Sequence, residues 1–416
     1  MDDKRRLTMK IIEGGVTSAK GYQATGLHAG IRKGKSKKDM ALIYSEVPAV
    51  FAGTFTRNKV KAAPVKWGKK IVKEQQTVQA IVVNSGVANV CTGEEGMNNC
   101  EKMAEMTAKE LGIKKEEVLV CSTGVIGNQL PMELIEAGIT LLVPALKSDR
   151  ESAIMASEAI MTTDTHKKEC AVTIEVGGKT VTIGGMCKGS GMIHPNMGTM
   201  LAFITTDVAI TKEMLQKALY EDVQDTYNMV SVDGDTSTND TAYVLANGLA
   251  GNVLIDTENE DYHIFVKALH EVNTYLAKQI AQDGEGATKL LEVFVENAVT
   301  KEDAKVLSKA VACSSLTKTA LYGKDANWGR IFCAMGYSGA EFNPDTTDIT
   351  IKSEFGQLQL VKNGISTGYD EEEATKILSA EHVICIADVK EGKASAVAWG
   401  CDLTHEYVSI NADYRS

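Results

Sequence analysis

The chain has 416 residues, 44% of them apolar and 24% charged, which is the composition of an ordinary globular protein longer than one typical domain. A formal net charge of −11 argues against a nucleic-acid surface, because such binding needs clustered Lys and Arg to displace counterions from phosphates. No apolar run is long enough to span a bilayer, and the start Met-Asp-Asp-Lys-Arg-Arg-Leu-Thr is not followed by an unbroken apolar segment, so no membrane partner and no secretion are expected, and the cytoplasm is the expected compartment.

In chain order, the basic patches Arg32 to Lys38 and Lys66 to Lys73 read as solvated loops or strand edges. Ala49 to Phe55 and Ala80 to Asn84 read as strands, the second a continuous apolar run that fits a buried position. Met97 to Leu111 sets Met103, Ala104, Met106 and Ala108 among lysines and glutamates, and Gly112 follows as a helix stop. Glu117 to Val120 is strand-like and is followed by a loop, Cys121 to Gly127, that leads toward a helix over Met132 to Leu142. Ala171 to Val176 and Thr180 to Ile183 form strands joined by Gly177-Gly178, a hairpin signal. Lys212 to Tyr227 and Tyr262 to Gln282 read as helices, the latter with Phe265, Leu269, Val272, Leu276 and Ile280 on one face. The last hundred residues alternate strand and helix, ending in Ala394 to Trp399 and Tyr407 to Ile410. Mixed sheets with helices on their outer faces, an α+β architecture, follow. A main domain over 1–290 and a smaller α/β domain over 291–416 are expected.

Nine cysteines are scattered with no C-x-x-C pair and read as buried free thiols, with neither zinc nor redox motif. The seven histidines do not cluster, and neither a Gly-x-Ser-x-Gly elbow nor a dinucleotide fingerprint occurs. Ser231 to Thr241 alternates Asp233, Asp235 and Ser237 like calcium ligands, but Thr238 and Val244 stand where an EF-hand loop needs glycine and glutamate. A dense hydrogen-bonded loop is the expectation there, with no metal.

The most informative segment runs from Lys188 to Phe203, Lys-Gly-Ser-Gly-Met-Ile-His-Pro-Asn-Met-Gly-Thr-Met-Leu-Ala-Phe. A threonine hydroxyl is a poor nucleophile at neutral pH and needs a base. One source of that base is the α-amine created when the preceding peptide bond breaks. Gly198, lacking a Cβ, leaves its own carbonyl open to attack by the Thr199 hydroxyl. Taken alone, a Gly-Thr pair is more often a turn. Taken alone, Cys121 to Gly127 is likewise an ordinary loop with Thr123 as a cap, and Met161 to His166, with several hydroxyls and a carboxylate, and Asp283 to Lys289, with an acidic group on a flexible loop, are caps or turns.

The Lys188 to Phe203 run resembles the cleavage site of the ornithine acetyltransferase (ArgJ) family, which more often has alanine where this chain has Gly198. The resemblance extends from Gly14-Gly15-Val16 through Val83 to Asn89 and Asp325 to Arg330 to Trp399 to Tyr407. It implies a DmpA/ArgJ-like layered fold, self-cleaved between Gly198 and Thr199 into an α-chain (1–198) and a β-chain (199–416), assembled as a heterotetramer of two of each. It implies that Thr199 is the nucleophile, that Thr123 and Gly124 form the oxyanion hole, and that Thr162, Lys188, Thr199, Glu285, Asn411 and Ser416 contact substrate. The implied reaction moves acetyl from N-acetylornithine to glutamate through an acetyl-enzyme, with no cofactor. Some family members also use acetyl-CoA; the acidic charge and missing phosphate motif lead us to expect N-acetylornithine as the strongly preferred donor here and acetyl-CoA as poor or inactive. The alternative is an N-terminal-nucleophile amidase or aminopeptidase of related fold, in which water replaces glutamate.

Overall fold

The computed structural model describes residues 9–32, 34, 36–194 and 200–413. Strands β1 (Lys10–Ile12), β2 (Tyr22–Leu27), β3 (Met40–Phe55), β4 (Thr77–Val87), β5 (Val118–Val125), β6 (Lys168–Val176), β7 (Lys179–Lys188), β8 (Leu201–Thr206) and β9 (Thr241–Ala246) make a nine-stranded sheet among the described residues. Its order is β1-β6-β7-β8-β9-β3-β4-β5, with β2 also on β3. The β4–β5 and β8–β9 pairs are parallel.

Strand β3 is where this sheet doubles over. Its first half pairs with β2 and β4, its last six residues pair with β9, and the register slips between Tyr44 and Ala49; inserted residues of this kind bend a strand. The two halves then stack. Leu201 and Phe203 of β8 and Tyr243 and Leu245 of β9 share a core with Leu42, Ile81, Val83 and Val120. Their alternate neighbours Ala202, Ile204, Ala242 and Val244 share a second core with Leu269, Val272 and Leu276, as the two-residue period of a strand buried on both faces requires. Helices α1 (Ala63–Glu74), α2 (Gly93–Leu111), α3 (Met132–Leu142) and α4 (Arg150–Ala159) pack on the β2–β5 half, and α5 (Lys212–Asp222) and α6 (Glu260–Gln282) on the other. The result is the layered α+β arrangement expected.

A six-stranded sheet follows, from β10 (Leu290–Ala298), β11 (Asp348–Ser353), β12 (Gly356–Lys362), β13 (Ile365–Ser366), β14 (His382–Asp388) and β15 (Ala394–Cys401), ordered β13-β12-β11-β14-β10-β15. Helices α7 (Lys301–Cys313), α8 (Ser315–Tyr322), α9 (Trp328–Gly336) and α10 (Glu371–Leu378) accompany it, and α11 (His405–Asp413) closes the described chain. Leu291, Val293 and Val295 of β10 belong to the same core as α6.

Local signals account for several elements. Gly112 ends α2 in the left-handed conformation (φ 71°), and Gly177 and Gly178 (φ 55° and 76°) turn β6 into β7. Asn259 caps α6 by accepting from the Tyr262 N–H, and the stripe from Phe265 to Ile280 is buried. Other expectations are corrected. The basic run Lys66 to Lys73 is neither loop nor strand edge but lies within α1, because Pro64 opens a helix and Val65, Trp67, Gly68 and Ile71 bury one face while the lysines stay outside. The helix from Lys212 stops at Asp222 short of Tyr227. There Thr226 Oγ1 donates to the Asp222 carbonyl, while the Asp222 carboxylate takes hydrogen bonds from His270 and Asn273 of α6. Tyr407 to Ile410 lies inside α11. All nine cysteines are free, but Cys91 and Cys333 are exposed rather than buried. Among the described residues no helix is long and apolar enough to cross a membrane, and no His/Cys/Asp/Glu group could hold a metal.

Candidate active site

A cleft of about 140 Å³ opens where the ends of the two stacked sheet halves meet. One wall is the end of β5. Its register with β4 sets Thr123 opposite Ser85 and Gly124 opposite Gly86. The segment expected as a loop after a strand is therefore largely strand itself, Cys121 to Val125 continuing β5, because the parallel ladder with β4 carries on to its end. Thr123 is no helix cap. Its Oγ1 accepts from Lys188 Nζ at 3.5 Å, which occupies a lone pair and leaves the hydroxyl hydrogen free to point at an anionic oxygen in the cleft.

Lys188 ends β7 and is buried. Its ammonium donates to Thr162 Oγ1 at 2.8 Å and lies 3.9 Å from Asp164 Oδ2. Burial pulls its pKa down, opposed by Asp164 and assisted by Lys168. Burial also disfavours ionised Asp164, yet Lys168 and Lys188 outweigh it and hold that carboxyl well below the usual carboxylate range. The Met161 to His166 turn thus becomes a cation-holding elbow: Asp164 accepts from the backbone N–H groups of Thr162 (2.9 Å) and Gly189 (2.7 Å).

Glu285 faces the same cleft from the loop after α6, and Asn411 of α11 donates to its Oε2 at 2.8 Å. The loop is pinned, contrary to the flexible one expected. The Glu285 N–H donates to the Ser190 carbonyl at 2.9 Å, Ser190 Oγ donates to the Asp283 carbonyl at 2.6 Å, and Asp402 takes the Thr288 N–H at 2.8 Å. Glycine at 191 matters here, because a Cβ would lie 2.3 Å from the Glu285 carboxylate.

The run from Ser231 to Thr241 is the dense loop its sequence suggested. Asp233 accepts from the N–H groups of Met192 (2.6 Å), Ile193 (2.9 Å) and Asp235 (3.1 Å), and burial pushes its pKa up against those bonds. Thr236 Oγ1 donates to the His194 carbonyl at 2.8 Å, and the Thr241 N–H donates to that of Met200 at 2.8 Å. Residues on both sides of 195–199 are therefore tied to this one loop. Asn239 joins the sheet halves, its Nδ2 donating to the carbonyls of Ala88 (2.6 Å) and Ser122 (2.8 Å).

The structure brings Thr123, Gly124, Thr162, Lys188, Glu285 and Asn411 around one cleft, together with Met200, the residue after Thr199. Gly198, Thr199 and Ser416 lie outside the described residues. Sequence reading noted the Asp164 carboxylate in the Met161 to His166 turn but not its role behind the cleft, and it missed Lys168, which opens β6 and carries no local signature. It flagged the run containing Asn239 but not its tie between layers, which depends on contacts over a hundred residues apart.

A model of the ArgJ family matches residues 23–416. The arginine biosynthesis bifunctional protein ArgJ 1 of Clostridium acetobutylicum is 52% identical over 411 residues, covering 98% of this chain and 100% of that protein. The arginine biosynthesis bifunctional protein ArgJ of Thermotoga neapolitana is 51% identical over 398 residues, covering 95% and 99%. Among solved structures, the ArgJ bifunctional protein of Bacillus halodurans aligns at 44% identity and TM-score 0.45 over 46% of this chain and 99% of that one. With a family match over nearly its whole length and relatives half identical from end to end, the chain belongs to the ArgJ family.

Proposed function

We propose that this chain, an acyltransferase of arginine biosynthesis, carries the acetyl group of N-acetylornithine to glutamate through an acetyl-enzyme on Thr199. Maturation comes first. The Thr199 hydroxyl attacks the Gly198 carbonyl, the peptide shifts from nitrogen to oxygen, and water cleaves the ester to leave a Gly198 carboxylate and a free Thr199 α-amine. With a reference pKa of roughly 7.7–8.0, that amine is part neutral near physiological pH and serves as the base.

In turnover the amine takes the hydroxyl proton as Oγ1 attacks the acetyl carbonyl, Thr123 and Gly124 hold the oxyanion, and the proton passes to the departing α-amine of ornithine. Glutamate's amine then attacks the acetyl ester and leaves as N-acetylglutamate. Lys188 faces a substrate carboxylate, while Glu285, steadied by Asn411, faces a substrate amine; Thr162 and Ser416 complete the contacts. Cleavage leaves the α- and β-chains interleaved, since β7 lies in one and pairs with β8 in the other over Ile183 to Lys188, and two of each form a cytoplasmic heterotetramer.

The observation that carries this reading is the convergence on one cleft of the β5 end, Lys188, Glu285 and the residue following Thr199. The test is purification of the wild type and Thr199→Ala. The wild type should give two fragments, the second starting Thr-Met-Leu-Ala, and should transfer acetyl between the two amino acids. Thr199→Ala should stay one chain and be inactive; cleavage or transfer by that variant rejects the mechanism. The relatives' names contain the word bifunctional, which favours a second reaction, and acetyl-CoA-dependent formation of N-acetylglutamate is the reading we assign to it. Water in place of glutamate, the amidase alternative, would appear as acetyl-enzyme hydrolysis that glutamate does not suppress.

A further inference from the structure

Lys168 opens β6 with its side chain fully buried and outside the lining of the cleft. Its ammonium lies 2.8 Å from Asp164 Oδ1 and 2.5 Å from Asp283 Oδ2. A buried ammonium persists only when paired and hydrogen-bonded, and the acetyl-transfer chemistry makes no use of this one. What it joins is informative. Asp164 gathers the Thr162 and Gly189 N–H groups and sits beside Lys188. Asp283 takes the Thr165 N–H and hydroxyl, and its carbonyl accepts from Ser190 Oγ; Glu285 follows two residues later, its N–H on the Ser190 carbonyl. Lys168 therefore stands at the join between the wall that bears Thr162 and Lys188 and the wall that bears Glu285.

We propose that Lys168 is a positioning residue that fixes the separation of these two walls, so that the Lys188 cation and the Glu285 carboxylate meet the opposite charges of an amino-acid substrate in register. The substrate part of this inference rests on reading the cleft as an amino-acid site. Asp164 and Asp283 are almost wholly buried, so removing Lys168 alone strands a carboxylate and endangers folding. The informative variant is the charge-balanced pair Lys168→Met with Asp283→Asn. It leaves Lys188 and Asp164 as a neutral couple and lets the amide oxygen of residue 283 keep the Thr165 bonds.

The experiment compares full-length wild type and double variant in steady-state kinetics and in backbone hydrogen exchange. The variant should raise KM for both amino-acid substrates about tenfold with kcat changed less than about threefold, a split that general destabilisation would not produce. Amides of Thr162, Gly189 and Glu285 should exchange at least about tenfold faster while those of β3, β4 and β9 keep their protection. Unchanged KM for both substrates, or unchanged exchange at those three amides, overturns the proposal. Wild type that transfers no acetyl group would sink the functional reading instead, and the exchange comparison would still decide the role of Lys168.

Discussion

Gly124 faces Gly86 across the parallel β4–β5 ladder so closely that a Cβ on Gly124 would sit 2.3 Å from the Gly86 carbonyl carbon. With its φ of 129° as well, only glycine fits without strain. Gly124→Ala must part the two strand ends and move the Gly124 N–H away from the cleft. Loss of an oxyanion donor typically costs about 10²–10³ in rate, so kcat should fall by at least that order, with a lower melting temperature. A Gly124→Ala enzyme within twofold of wild-type kcat would remove this backbone from the oxyanion site.

Thr123 supplies a hydroxyl without strain, so its substitution separates chemistry from packing. Thr123→Ala should lower kcat by about 10²–10³, with little change in KM. Thr123→Ser, which keeps the oxygen that Lys188 Nζ addresses, should recover most of the loss. A pure KM effect in Thr123→Ala would make Thr123 a substrate-positioning group.

His194 predicts how the folded protein responds to acid. Its ring lies 3.1 Å from Ser231 Oγ and 3.4 Å from Cys313 Sγ, and burial, with Lys309 nearby, lowers its pKa to about 4. The unfolded chain takes up that proton near pH 6.5, roughly the ordinary imidazole value, whereas the folded one resists until about pH 4. Over this window the unfolded state binds more protons, so stability falls as pH drops and the contribution is flat above the window. Thermal melts from roughly pH 7.5 down to pH 4.5 should show this, and His194→Asn should lose less stability over the same range. Equal acid sensitivity in wild type and variant would show that other groups carry it.

Donor choice follows from the charge of the cleft. Among the described residues lining the cleft, Lys188 is the one cation, and a substrate carboxylate takes it; that suits an acetylated amino acid, whereas the phosphates of acetyl-CoA would find no further cation among those residues. Glutamate acetylation measured with each donor should give N-acetylornithine a kcat/KM at least about tenfold higher. Comparable values would establish two efficient donors and reject the argument from charge.

Much of this was legible along the chain because it is local. The stripe from Phe265 to Ile280 suffices for α6, as Gly177-Gly178 does for its hairpin. The Ser231 to Thr241 run could be marked as hydrogen-bonded, since short polar side chains act within a few residues, whereas the Gly198-Thr199 junction stands out by family resemblance and not by local chemistry alone. Lys66 to Lys73 misled, because four lysines outweighed the buried face of Val65, Trp67 and Ile71, and helix or loop there depends on whether β5 lies beneath.

What tertiary structure alone decided is the assembly of the site. Bending at Tyr44 to Ala49 stacks one half of a sheet on the other, and only then do Thr123 and Gly124 face Lys188, Glu285 and Asn411, residues up to 288 positions apart in the chain. Asn239 between Ala88 and Ser122, and Lys168 between Asp164 and Asp283, are satisfied only in that arrangement. Periodicity and turn chemistry report on neighbours within a helix turn or a hairpin. The pairing of distant polar groups is set by burial, where an amide or ammonium must find partners wherever the folded chain happens to bring them.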